Sequence, residues 1–392
     1  MGQTKTGAPP VGTTPAGGTR TFVRSDLVIL IGSATFVALS GITNFANANA
    51  VVAFVCSAVA VALLASLVGR SVDQLGDRFG AGATGVLQSA LGNLPELFIS
   101  FFALRAGLLT VVQSALIGSM LANLLLVLGL AFVVGGLRHG TQTFAKSRAR
   151  DTCVLLTLAT AALVLPSLAK YTHTPAEPHV RALSDAVAVV LLLIFVLSLP
   201  AALRRQPEDG ASAGGAGSSA AEVPGGSGTA VSGGSAHEGP RWPVWLAVTL
   251  LTLASAAAAL VSDWFVTALQ PTIHTLHLSE AFAGLVVVAI AGNAIENVVG
   301  IQLAWKNQAD YALSVIVNSP LQIALVLAPA LVLLSLFTAT AFTLVFAPML
   351  VAAVVVTVLI VCLIVFDGES NWLEGATLIG LYAIIAAAFW WG

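Results

Sequence analysis

Two glutamates lie inside long apolar runs, in the same local sequence and 200 residues apart. The segments Gly92–Glu96 (GNLPE) and Gly292–Glu296 (GNAIE) share the pattern G-N-x-x-E. A charged side chain near the centre of a bilayer costs about 2.5–3.5 kcal/mol on insertion scales, so it is rarely present without a function. The matched pair predicts a cation site that uses both carboxylates, and therefore an ion-coupled transporter.

The backbone beside each glutamate is predicted to be irregular. Glycine and asparagine are weak helix formers, and Pro95 lacks an N–H donor. Irregular backbone at membrane depth is tolerated where it is buried or lines a cavity, so these turns could offer free carbonyls beside the carboxylates. Such hard oxygen ligands suit Ca²⁺, whereas the sequence has no histidine or thiolate cluster that would favour zinc or copper. The predicted metal ligands are Glu96, Glu296, Asn93, Asn293, Gly92 and Gly292, and both glutamates are also predicted to bind protons.

Further polar residues follow each motif on the next apolar run. The spacings 119/123 and 318/322 place each pair on one helix face. Small and polar residues also let membrane helices pack closely, and this reading stays open for Ser114 and Ser314. We expect the site to be lined by Gln113, Ser119 and Asn123 in the first half and by Asn318, Ser319 and Gln322 in the second.

The composition is that of a polytopic membrane protein. Of the 392 residues, 57% are hydrophobic and 9% are charged, against about 25% charged in soluble domains. No basic block indicates a nucleic-acid partner, and no nucleophile–base pair indicates an enzyme. Cys56, Cys153 and Cys362 lie in apolar runs without metal-ligand spacing, which favours membrane packing over a disulfide or metal role.

A transmembrane helix needs about 20 apolar residues, and this length predicts eleven spans. They cover about 27–45, 48–69, 81–104, 108–136, 150–169, 181–203, 242–266, 281–304, 310–337, 341–366 and 371–391. Asp310 is expected to be the N-cap of the ninth span, and Asn371 with Glu374 to form a capping box before the last.

The predicted fold is all-α and integral to the membrane, with one N-terminal helix followed by two inverted five-helix repeats. Residues 92–129 align with 292–329 without a gap, and an odd number of spans per repeat inverts the second copy. The predicted parts are a disordered tail (1–24), the first transmembrane helix (25–47), the first repeat (48–203), a Gly/Ser-rich cytoplasmic linker (204–241) and the second repeat (242–392).

The distribution of lysine and arginine predicts the orientation. With the N-terminus in the cytoplasm, 13 of these residues lie inside and 3 outside, in agreement with the positive-inside rule. The C-terminus then lies outside. Short loops and the lack of a targeting segment favour the plasma membrane of a prokaryote, with a vacuolar membrane as the alternative.

The paired carboxylates also predict a transport mechanism. Two carboxylates in a low-dielectric cavity repel each other, and burial favours their protonated forms. One Ca²⁺ neutralises the pair, and so do two protons, so the two ligands exclude each other. The empty, doubly charged site is the costly state, which favours exchange over uncoupled movement.

At these residues the chain resembles the Ca²⁺/H⁺ antiporter family of the cation/Ca²⁺ exchanger superfamily. The resemblance extends beyond the two G-N-x-x-E motifs. Membership of this family would imply an eleven-span fold with Glu96 and Glu296 as shared Ca²⁺ and H⁺ ligands. The chain departs from the family pattern at Asn297, where relatives usually carry histidine, and at Pro320. The further matching segments are 114–129, 306–310, 322–325 and 367–375.

We therefore expect a secondary transporter that exchanges cytoplasmic Ca²⁺ for H⁺ by alternating access. Its partners would be Ca²⁺ and H⁺ as substrates and the lipid bilayer, with no cofactor. A sodium-coupled or broad-specificity cation exchanger on the same fold is the first alternative. A cation channel is the second, although inverted repeats with discontinuous helices favour alternating access.

Overall fold

The computed structural model describes residues 22–46, 48–79, 91–204 and 241–391. The predicted tail (1–24) and linker (204–241) lie almost wholly outside these ranges. In the described ranges the chain forms helices and one pair of two-residue strands. The helices are α1 (Arg24–Phe45), α2 (Ala50–Phe79), α3 (Leu94–Arg105), α4 (Leu109–His139), α5 (Lys146–Tyr171), α6 (Val180–Arg204), α7 (Val244–Leu276), α8 (Glu280–Gly292), α9 (Ala294–Trp305), α10 (Ala309–Phe337), α11 (Pro348–Val365) and α12 (Trp372–Trp390).

The all-helical membrane architecture agrees with the prediction. Within the described ranges, nine helices are long and apolar enough to cross a membrane, and α8 with α9 would make a tenth span bent by 62°. The third predicted span begins in residues 80–90, which lie outside those ranges. The count of eleven spans therefore stays a prediction.

The antiparallel strands β1 (Gln142–Thr143) and β2 (Glu369–Ser370) join the connection after α4 to the connection before α12. They link the two halves of the chain at one end of the helices. Beside them, the Gln142 amide donates to the Ala304 carbonyl at 3.2 Å, near the end of α9. This end of the molecule is therefore tied together by backbone and side-chain hydrogen bonds.

The two halves have the same local backbone geometry at positions 200 residues apart. Asn93 has φ −94° and ψ 16°, and Asn293 has φ −104° and ψ 17°, so both helices are interrupted just before the glutamate. Gly107 and Asn307, after α3 and α9, both have positive φ. The helices α4 and α10 each contain a wider π-helical turn, at Ala122–Val127 and Ile323–Leu327.

The helix α4 is the most deeply buried of the candidate spans. It approaches α8 at Gly118, where a Cβ atom would lie 2.3 Å from the Leu285 carbonyl oxygen. It also approaches α12 at Gly129, where a Cβ atom would lie 2.8 Å from the Gly375 carbonyl oxygen. Small residues at these crossings allow the helix backbones to touch, which holds α4 at the centre of the molecule.

The tenth predicted span, 341–366, begins too early. The helix α11 begins at Pro348, where a missing N–H costs nothing, and the ten residues before it are extended or bent. An apolar run has the same hydrophobic pattern whether it is helical or extended, so the start of this helix was predicted wrongly from the sequence. In these ten residues, which we call the 338–347 segment, Phe342, Leu344 and Phe346 are at most 1% exposed, whereas Ala339, Ala341 and Ala347 are exposed.

Helices of the first half satisfy the backbone of the 338–347 segment. Ser167 donates to the Leu344 carbonyl at 3.0 Å and accepts from the Phe346 N–H at 2.9 Å. Ser184 accepts from the Leu344 N–H at 3.1 Å. Buried backbone polar groups need such partners, so these serines make the extended conformation possible.

Of the two predicted helix caps, one is confirmed and one is wrong. Asn371 accepts from the N–H groups of Leu373 and Glu374, and Glu374 accepts from the Asn371 N–H, which forms the predicted capping box. Asp310, by contrast, lies in the first turn of α10, after the N-cap Gln308. Its carboxylate accepts instead from the N–H of Ala145, the N-cap of α5, at 2.7 Å, because a tertiary partner is available there.

Candidate cation site

Glu96 is buried at the start of a short helix in the centre of the protein. It lies in the first turn of α3, directly after Pro95 and three residues after the interruption at Asn93, and its side chain is 5% exposed. The N–H groups of a first helical turn favour a negative charge. The irregular backbone of the first G-N-x-x-E motif therefore places this carboxylate in the first turn of α3.

Two neutral groups from different halves of the chain donate hydrogen bonds to Glu96. The Ser119 hydroxyl of α4 donates to its Oε1 atom. The Asn293 amide, from the second motif, donates to the same oxygen at 3.4 Å and to the Ser119 hydroxyl at 2.9 Å. The first glutamate, the second motif and α4 thus meet at one point.

Asn123 extends this network to the second half. Its amide nitrogen lies 3.1 Å from Asn293 Oδ1 and 3.2 Å from the Ser319 hydroxyl, and it also donates to the Ser119 carbonyl at 3.0 Å. The Ser319 hydroxyl donates to Asn293 Oδ1 at 3.3 Å. Four predicted site residues, Ser119, Asn123, Asn293 and Ser319, therefore form one buried polar cluster around Glu96.

One acceptor of the Asn123 side chain is unsatisfied within the described part of the chain. Its Oδ1 atom is buried and has no hydrogen-bond partner among the described residues. An unsatisfied buried polar group costs about 1–3 kcal/mol. Amide oxygens are typical Ca²⁺ ligands, so this acceptor is a candidate for cation binding.

Among the residues that the structure describes, Glu96 has no basic partner. Within the described ranges, the ion pairs are Arg70–Asp26 and His173–Glu177, and neither involves Glu96. An isolated buried carboxylate is too costly to keep charged without compensation. Its neutral hydrogen-bond donors lower that cost but do not cancel the charge, so the site needs a proton or a bound cation.

The second motif lies against the first carboxylate. A Cβ atom on Gly292 would be 3.6 Å from Glu96 Cγ and 3.7 Å from its Oε1 atom. The helix turns by 62° at this point, between α8 and the later part of α9. Glu296 is the third residue of α9, and its side chain lies outside the part of the structure that is described.

The remaining predicted residues are divided between this cluster and its surroundings. The Asn93 amide donates to Gln322 Oε1 at 3.4 Å, which joins the first motif to α10, and Gly92 lies beside it in the same turn. Asn318 is exposed and makes none of the hydrogen bonds of the cluster. The Gln113 amide donates to the Val345 carbonyl at 2.6 Å and so contacts the 338–347 segment, a partner that the sequence analysis missed.

Comparison with known proteins gives the family. The family model described as sodium/calcium exchanger protein matches residues 49–203 and 246–391, which is most of the chain. The chain belongs to the sodium/calcium exchanger family. This is a family of membrane transporters, not of enzymes.

The chain is similar over most of its length to proteins named as antiporters. It is 33% identical to the Ca(2+)/H(+) antiporter of Aphanothece halophytica, over 92% of this chain and 96% of that protein. It is 34% identical to the Ca(2+)/H(+) antiporter ChaA of Bacillus subtilis, over 92% and 98%. The solved structure of native YfkE is 33% identical, with a TM-score of 0.74 over 92% of this chain and 99% of that one.

Proposed function

We propose that this chain is a Ca²⁺/H⁺ antiporter in which Ca²⁺ and protons compete for the same buried carboxylates. The observation that carries the proposal is the burial of Glu96 among neutral donors, without a basic partner among the described residues. A structural glutamate at this depth would be paired with a cation of the protein. A site left without one can accept either a proton or a metal ion.

The names of the relatives support the choice of substrates. The similar proteins of Aphanothece halophytica and Bacillus subtilis are named Ca(2+)/H(+) antiporters. The oxygen chemistry of the cluster around Glu96 agrees, since carboxylate, amide and hydroxyl oxygens suit Ca²⁺. Ca²⁺ is then the transported substrate and not a resident cofactor.

Glu296 is the proposed second ligand. Its motif has the same backbone interruption as that of Glu96, and Gly292 and Asn293 of that motif contact the first carboxylate or its partners. One Ca²⁺ would neutralise both glutamates, and two protons would do the same. The remaining proposed ligands are the backbone and amide oxygens of Gly92, Asn93, Gly292 and Asn293.

An architecture of two structural repeats would allow alternating access. The matched interruptions, positive-φ residues and π-helical turns support two repeats of one structural unit, and an odd number of spans per unit would invert the second. The site lies where the halves meet, so a movement of one half against the other would expose it to each side in turn. We propose an N-terminus in the cytoplasm, an outside C-terminus, and Ca²⁺ export across a prokaryotic plasma membrane.

A flux assay in vesicles tests this function. Purified protein is reconstituted in vesicles with an acidic interior, and uptake of ⁴⁵Ca²⁺ is followed together with internal pH. The proposal predicts Ca²⁺ uptake with matching proton loss, and its abolition in both Glu96→Gln and Glu296→Gln. Uptake that follows an imposed sodium gradient instead would identify a sodium-coupled exchanger, and uptake that follows voltage alone would identify a channel; either result contradicts the proposal.

A further inference from the structure

Cys153 and Cys362 meet across the contact between α5 and α11, which belong to opposite halves of the chain. The Cys362 sulfur lies 3.8 Å from the Cys153 carbonyl oxygen and 3.8 Å from the Thr157 hydroxyl. A disulfide needs Cα atoms within about 7 Å of each other, and this contact brings the two cysteines to one helix crossing.

Both thiols can be reached from one cavity. They line a space of about 340 Å³ together with Arg150, Val154, Thr157, Leu158 and Phe366. Both cysteines are partly buried and not sealed in the core. A water molecule takes up about 30 Å³, so a small uncharged oxidant such as a peroxide can enter this cavity.

The third cysteine, Cys56, differs from this pair in its burial and in its position away from the cavity. Cys56 lies on α2, is 7% exposed, and does not line this cavity. It is a free thiol, as the other two are. The chain therefore contains its own control for the effect of proximity and access on thiol oxidation.

We propose that Cys153 and Cys362 are a peroxide-sensitive thiol pair whose disulfide ties the two halves of the protein together. One sulfur attacks a peroxide oxygen, the O–O bond breaks, and a sulfenic acid and one water form. The second sulfur then attacks the sulfenic sulfur, the S–S bond forms, and a second water leaves. Two thiols are oxidised as one H₂O₂ is reduced to two waters.

Mass spectrometry of the intact protein tests the pair. The full chain in detergent is treated with increasing H₂O₂, quenched, denatured and alkylated with N-ethylmaleimide. We expect the N-ethylmaleimide adducts at Cys153 and Cys362 to be lost together, while the adduct at Cys56 remains. The oxidised protein should be lighter than the reduced protein by the mass of two hydrogens, before alkylation is counted. Independent oxidation of the two sites, with added oxygen and no cross-linked peptide, would overturn the proposal.

A second measurement identifies the linked residues without relying on transport. A protease site is inserted between residues 205 and 240, the oxidised protein is cleaved, and the fragments are separated under non-reducing conditions. The halves should stay joined in the parent and in Cys56→Ser, separate in Cys153→Ser and in Cys362→Ser, and separate in every variant after reduction. Joining that survives Cys153→Ser, or separation in the oxidised parent, would contradict the assignment.

Discussion

Asn293, from the second G-N-x-x-E motif, donates a hydrogen bond to Glu96 of the first motif at 3.4 Å. The same amide group contacts Ser119, and its oxygen accepts from Asn123 and Ser319. Each half of the chain thus supplies a side chain to the surroundings of one carboxylate. Under the proposed alternating access, a relative movement of the halves would change this contact.

Replacing Asn293 with alanine should strongly impair exchange. The substitution removes one donor to Glu96 and one acceptor shared by Asn123 and Ser319, and weakening buried hydrogen bonds of this kind costs about 1–3 kcal/mol. We expect pH-driven Ca²⁺ uptake to fall at least about tenfold, since a loss of 1.4 kcal/mol corresponds to a factor of ten. Asn318→Ala is the matched control, because Asn318 is exposed and outside the cluster; equal losses in both variants would contradict the arrangement.

Gly118→Ala should destabilise the protein through the crossing of α4 and α8. The added Cβ would lie 2.3 Å from the Leu285 carbonyl oxygen, which cannot rotate away. Overpacking of this kind costs about 1–3 kcal/mol. Gly69→Ala is the control, because a Cβ there meets nothing within 4 Å and alanine favours a helix. Apparent melting temperature in detergent distinguishes them, and a Gly118→Ala variant as stable as Gly69→Ala would refute this packing.

Ser167→Ala should release the 338–347 segment. It leaves the Leu344 carbonyl and the Phe346 N–H unpaired in a buried site, at about 1–3 kcal/mol for each group. Ser198→Ala is the control, because its exposed hydroxyl bonds only to the Phe195 carbonyl of its own helix. A lower melting temperature and new protease cleavage within 338–347 are expected for Ser167→Ala alone. Cleavage in neither variant, with unchanged melting, would argue against this anchoring role.

Arg70→Ala should destabilise the contact between α1 and α2. Asp26 is 4% exposed and pairs with Arg70, whose side chain is 34% exposed. Removing the arginine leaves a buried carboxylate with fewer partners, at a cost of about 1.5–3 kcal/mol for a charged hydrogen bond. The double variant Asp26→Asn/Arg70→Ala should recover part of the loss in melting temperature, because the unpaired charge is gone. A double variant less stable than Arg70→Ala would show that the charge is not the cause.

Sequence patterns predicted those parts of the protein that depend on local chemistry. The interruptions at Asn93 and Asn293 follow from Gly-Asn pairs in apolar runs, and the capping box at Asn371 follows from its spacing to Glu374. Ser119, Asn123 and Ser319 were predicted to line the site because they follow the two motifs in the repeat, and they lie beside Glu96 and Asn293. The spacing 318/322 was less informative, because Asn318 is exposed and lies outside the cluster.

Tertiary partners account for the features that sequence patterns missed. The 338–347 segment is extended because Ser167 and Ser184, more than 150 residues earlier in the chain, satisfy its backbone. Asp310 bonds to Ala145 instead of capping its own helix for the same kind of reason. The meeting of Cys153 and Cys362 depends on the packing of α5 against α11, which no local spacing encodes.

If the buried Glu96 carboxylate holds either a proton or Ca²⁺, as we propose, Ca²⁺ binding must release protons. This release is measured on the purified protein in weakly buffered detergent solution, with ⁴⁵Ca²⁺ binding followed in parallel. We expect protons to be released in proportion to bound Ca²⁺, the apparent Ca²⁺ affinity to fall as the solution is acidified, and the release to be lost in Glu96→Gln. Calcium binding without proton release, or proton release unchanged in Glu96→Gln, would contradict this proposal.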